Sequence, residues 1–150
     1  MIRQIFAPAK LNLFLYITGK RDNGYHELCS LMYPISLYDE LILDSSAHEI
    51  ELTCDHPDVP KDHTNIASRA AVIFFEKIGQ PKRLKIHIVK HIPVGGGLGG
   101  GSSNAASVLL FLNECYGYPF TQKELMDIGL KLGADVPFFI FNRPALACGI

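Results

Sequence analysis

The 150-residue chain lacks the marks of a disulfide framework or a zinc ribbon, since its four cysteines, Cys29, Cys54, Cys115 and Cys148, stand far apart and none lies in a C-x-x-C pair. It also lacks the continuous apolar runs of a membrane protein, and with 48% apolar and 19% charged residues it lacks the polarity of a disordered chain. There is no excess of one sign of charge. The 14 basic and 15 acidic residues leave a formal net charge of −1, which excludes a broad cationic field and with it nucleic acid or a membrane surface as the expected partner. Any anion site must be local. A secretory leader is not expected either: Arg3 and Lys10 precede the apolar stretch Leu11 to Ile17, but Asn12 interrupts it, and Thr18-Gly-Lys-Arg21 follows where small residues should stand. The expected compartment is a reducing cytoplasm.

What is present reads as one domain over residues 1–150 with one core. Ile2 to Ile17 and Tyr25 to Leu43 have the composition of strands, the second interrupted by Pro34, with a turn-rich loop from Thr18 to Gly24 between them. Glu49 to Thr53 alternates as a half-exposed strand, and Cys54 to His63 reads as a connection. Asn65 to Ile78 carries helical spacing between a cap at Asn65 and a stop at Gly79. Leu84, Ile86 and Ile88 share the parity of one buried strand face. Ser102 or Ser103 opens a helix reaching about Tyr116, and Thr121 and Glu124 form a capping box for another that runs to Leu132 and is closed by Gly133. Cys148 to Ile150 looks like the start of a further strand.

Six of the seven residues from Gly95 to Gly101 are glycine, which costs backbone entropy and makes sense where main-chain amides turn inward or approach a ligand closely. With a strand before and a helix after, those amides and the positive end of the helix form an anion site, for which phosphate is the obvious occupant. A flexible hinge is the bland alternative. Gly95, Gly97 and Gly100 also satisfy G-x-G-x-x-G, so a dinucleotide-binding unit stays open, although no acidic residue ends a second strand about 20 residues on. A Walker A loop is excluded, because no lysine precedes Ser102.

The run Pro93-Val-Gly-Gly-Gly-Leu-Gly-Gly-Gly-Ser-Ser-Asn-Ala-Ala106 resembles the phosphate loop of the GHMP kinases, with Gly100 and Gly101 as two glycines beyond the wider family's pattern. Pro8-Ala-Lys-Leu-Asn-Leu-Phe-Leu15 with Gly24-Tyr-His26 resembles the first motif of one branch, and Gly133-Ala-Asp-Val-Pro-Phe138 resembles its catalytic segment. The resemblance implies an α+β fold, a mixed sheet with helices packed on one face, forming the family's N-terminal ATP-binding domain. These kinases continue into a second domain with another glycine-rich motif. Nothing in the chain corresponds to it, so the C-terminal domain is expected to be absent and turnover by the chain alone weak or absent.

The implied cofactors are ATP and Mg2+, with Pro93, Val94, Gly95, Gly96, Gly97, Leu98, Gly99, Gly100, Gly101, Ser102 and Ser103 around the nucleotide. The implied reaction is phosphorylation of a hydroxyl of a small molecule, a cytidine-diphosphate-linked methylerythritol on the route to isoprenoid precursors. Asp135, at a bend after a helix stop, is the candidate base, with a turn-forming aspartate as the alternative. Lys10 lies in an apolar strand where a lysine needs a partner; by resemblance that partner is Asp135. Asn12 shares the parity of Lys10 and is set to meet a polar substrate. By resemblance Tyr25 and His26 recognise the cytosine; ordinary edge-strand packing is the plainer role.

Ser102 and Ser103 suit phosphate, magnesium or a helix cap equally. No metal ligand is assigned: His87 and His91 are roughly 13 Å apart along a strand, and Cys54, His56 and His63 do not have a usual zinc spacing. The competing readings are a homoserine- or mevalonate-type kinase, a nicotinamide-binding oxidoreductase, and a fragment that binds nucleotide without turnover.

Overall fold

The computed structural model describes residues 1–149, so Ile150 of the expected last strand lies outside the described residues. Two long strands, β1 (Ile2–Lys20) and β2 (His26–Asp44), pair antiparallel along their length. Pro34 does not interrupt β2. It sits between the stretches of β2 that pair with other strands on the far side, where a missing N–H removes no ladder bond to them. The register instead shifts between Pro8 and Ala9, where β2 carries Ser36 and Leu37 without a counterpart.

After β3 (Ile50–Cys54), helix α1 (Ile66–Ile78) and β4 (Leu84–Val89) complete a sheet of order β1-β2-β4-β3, in which β3 and β4 are parallel. The ends of α1 are those its sequence specifies: Asn65 accepts from the Ala67 N–H, and Gly79 stops the helix at φ 66°. Helices α2 (Gly100–Cys115), α3 (Gln122–Leu130) and α4 (Val136–Phe141) follow, and β5 (Ala145–Gly149) pairs antiparallel with residues 28–32 of β2. Thr121 and Glu124 form their reciprocal capping box, while α3 ends at Lys131 and the chain turns on to Gly133, whose N–H reaches the Gly129 carbonyl.

Alternation decides which face is buried. Leu41 and Leu43 of β2 with Leu84, Ile86 and Ile88 of β4 lie under Ala70, Ala71, Phe74 and Phe75 of α1 and Ala105, Val108, Leu109 and Leu112 of α2. The other face keeps Ile2, Phe6, Tyr38 and Ile42 exposed, so the helices cover one side only. All four cysteines are free thiols; Cys29 and Cys148 nonetheless face each other across β2 and β5, their Sγ atoms 3.5 Å apart.

Candidate functional site

The strand β4 delivers the chain into the glycine loop, and α2 takes it away. Helix α2 begins earlier than its serines indicate: Gly99 is the N-cap, at φ 74°, and no side chain caps the first turn. Ser102 and Ser103 lie inside the helix and do not cap it, because the left-handed turn at Gly99 sets the helix start before either serine is reached. The first amides of α2 are therefore without a side-chain partner. Gly95 and Gly97 also hold positive φ, which turns successive amides of the loop. At Gly99, which holds φ 74°, a Cβ would stand 2.8 Å from the Phe139 ring, so close approach as well as conformation requires glycine there. The loop docks on β1 through the Lys10 N–H, which donates to the Leu98 carbonyl at 2.9 Å.

The loop forms one wall of a cavity of about 640 Å³, lined also by Lys10, Asn12, Lys90, Ser102, Asn104 and Asp135. It is lined as well by Asp58, Val59 and Pro60, from the segment read in the sequence as a mere connection, and by Thr64, Asn65 and Ile66 at the start of α1. That segment is held in shape: Asn65 caps α1 and donates its Nδ2 to the Pro60 carbonyl at 2.8 Å. The apolar Val59, Pro60 and Ile66 beside polar termini suit a flat aromatic base next to a charged chain. Periodicity could not find Val59 and Pro60, since residues 54–63 have no period.

Lys10 is buried in β1, with Nζ 3.8 Å from Asp135 Oδ2 and 3.3 Å from Asn12 Oδ1. Asp135 stands at the N-cap position of α4, yet its side chain makes no capping bond. The carboxylate is thus left partly exposed in the cavity, facing the ammonium, where a turn-forming aspartate would have spent it on the backbone. Lys10, Asn12, Asp135 and the loop from Pro93 to Ser102 come together. Ser103 does not: it is buried away from the cavity wall with its Oγ unpartnered. Tyr25 and His26 are exposed at the far end of the β1–β2 hairpin, outside the cavity.

Lys90 and Asp39 were not singled out from sequence. Asp39 on β2 accepts from Lys90 Nζ at 2.5 Å, and Lys90 N–H donates to Asp55 Oδ1 at 2.9 Å. That amide holds the Asp55 carboxyl below the usual carboxylate range. His87 bonds Thr53 Oγ1 and His91 faces Glu40, and among the described residues no three acidic, thiol or imidazole side chains converge. After α2 come two more helices and then an antiparallel strand, so the loop is not followed by the parallel strand that a dinucleotide site needs.

Residues 65–143 match the family described as GHMP kinases N terminal domain. The chain is 47% identical over 150 residues to a 4-diphosphocytidyl-2-C-methyl-D-erythritol kinase of Syntrophotalea carbinolica, covering 99% of this chain and 54% of that protein. It is 51% identical over 148 residues to the enzyme of that name from a Geobacter species, covering 98% of this chain and 53% of the relative. The chain thus spans about half the length of the curated relatives it matches. A crystal structure of 4-(cytidine 5'-diphospho)-2C-methyl-D-erythritol kinase superposes with a TM-score of 0.83 at 42% identity, over 98% of this chain and 52% of that one. Homoserine kinase from Cytophaga hutchinsonii, at 20% identity and a TM-score of 0.65, shares the fold.

Proposed function

The chain belongs to the GHMP kinases, and on that premise we propose that residues 1–150 form an ATP-holding domain that carries the catalytic pair of a kinase acting on a cytidine-diphosphate-linked methylerythritol. The observation that carries this reading is the shared cavity: the uncapped amides at the start of α2 open into the space that Lys10 and Asp135 face. Polyphosphate would lie against the loop amides, and the base between Val59, Pro60 and Ile66. The loop fits such a ligand, since Gly95 and Gly97 at positive φ turn successive amides and no side chain caps the first turn of α2.

Phosphoryl transfer to an alcohol needs position and charge neutralisation more than covalent work. Asp135 takes the proton as the hydroxyl oxygen attacks the terminal phosphorus; the bond to the departing ADP oxygen breaks as the new P–O bond forms. Lys10 aims Asp135 at the hydroxyl, its ammonium standing 3.8 Å from Oδ2. Asn12, beside Lys10, binds the polar substrate. Magnesium, when bound with ATP, neutralises phosphate charge. The Ser102 oxygen on the cavity wall fits an ion of this kind, which rests mainly on phosphates and water with one or two protein oxygens.

Tyr25 and His26 we assign to the cytosine, by stacking and base-edge hydrogen bonds. They stand outside the cavity, so the chain alone should turn over weakly while binding ATP. Isothermal titration of magnesium-ATP, and separately of the cytidine substrate, tests both parts. In the longer two-domain enzyme, Asp135→Ala should bind ATP as its parent does and release no ADP when the cytidine substrate is added. No heat with ATP, or undiminished ADP release by the variant, would sink the proposal.

A further inference from the structure

Asp39 has no part in the chemistry above, yet it is fully buried and its carboxylate accepts from four donors. Oδ1 takes the His91 and Ile92 N–H groups, each at 2.8 Å; Oδ2 takes Lys90 Nζ at 2.5 Å and Asn104 Nδ2 at 3.0 Å. A carboxylate has about four acceptor sites, so this one is saturated. Three of the donors belong to the residues entering the glycine loop, and the fourth to the helix that leaves it. Between those ends little fixes the loop. A Cβ at Gly95 or Gly97 would meet nothing within 4 Å, and the hydrogen bond from Lys10 to Leu98 is a single tie.

We propose that Asp39 is a positioning residue: from beneath, it holds the entry and the exit of the glycine loop at a fixed separation, so that the loop amides converge on one anion. The inference deepens the ATP reading and rests on it. Ordering that chain on ligand arrival would cost conformational entropy; a carboxylate that satisfies both ends beforehand removes part of that cost from binding. The rival account is a buried ion pair with Lys90 that supports the fold alone, and the two roles have different consequences once charge and loop contacts are separated.

Asp39→Leu alone strands the Lys90 ammonium and should destabilise the chain. Adding Lys90→Met removes both charges and fills the space, an exchange that is often neutral for buried pairs. The double variant should regain most of the lost stability in chemical denaturation. The amides of residues 91–104 should still exchange hydrogen at least about tenfold faster than in the parent. Its Kd for magnesium-ATP should rise about tenfold above that of Lys90→Met alone, which accounts for the cation lost from the cavity wall, as expected if the competent loop falls to about a tenth of the population. Asp39→Asn, which keeps an acceptor for two amides but turns an NH2 group on Lys90 and Asn104, should give intermediate values and covers a double variant that fails to fold. Loop exchange at the parental rate and affinity at that of Lys90→Met, together with restored stability, would overturn the proposal. If the parent chain itself ignores ATP, the nucleotide reading fails, and the exchange comparison still decides for or against Asp39.

Discussion

Two glycines of the same loop separate conformation from contact. Gly97 and Gly99 share φ 74°, but a Cβ at Gly97 meets nothing while one at Gly99 runs into the Phe139 ring. Gly97→Ala should therefore cost about 1 kcal/mol, the left-handed penalty alone, and Gly99→Ala a further 1–3 kcal/mol, about what overpacking costs; urea denaturation of the two variants checks the order. Equal losses would mean that Phe139 moves aside freely. Composition revealed that glycine mattered here, but the ring that makes Gly99 irreplaceable lies 40 residues on, in a segment whose period gives no hint of the contact. The same holds for Lys10 and Asp135: a lysine in an apolar strand announces the need for a partner, and only the fold brings the two within 3.8 Å.

At the scale of elements, caps behaved as local chemistry demands. Asn65, Gly79 and the Thr121–Glu124 box are where the sequence puts them, because each is decided within a few residues. The Thr121 N–H, then its hydroxyl, hold the Glu124 carboxyl below its ordinary range. A depressed folded value means stability that is complete above the unfolded pKa and lost as pH falls through the folded one. Glu124→Gln, which keeps an acceptor but does not titrate, should flatten the loss of thermal stability between about pH 5 and pH 3; an unchanged pH profile would show that the box contributes nothing. The elements misread were those governed at a distance. Pro34 signals a break, yet β2 continues because its partners on that side begin elsewhere, and Ser102 and Ser103 offer caps that the left-handed Gly99 makes unnecessary. The cavity wall at Val59 and Pro60 was illegible for a related reason: an irregular segment has no periodicity to read.

For the molecule as a whole, the aromatic cluster under α1 is the test of a single core. Phe74 is fully buried and its ring meets Phe75, Tyr116 and Phe120, tying α1 to the chain after α2. Phe74→Ala should cost about 3–5 kcal/mol, a large share of the roughly 5–15 kcal/mol that holds a domain together; a loss below about 1 kcal/mol would mean that the cluster repacks. The donors that meet at Asp39 lie 51 to 65 residues further along the chain. Their meeting closes a long loop, so the anion site cannot exist in any partly folded form that has made the hairpin but not docked β4 and α2. Binding is then a readout of complete folding. By mass action a nucleotide at 100 times its Kd should add about 2.7 kcal/mol to the whole chain's stability.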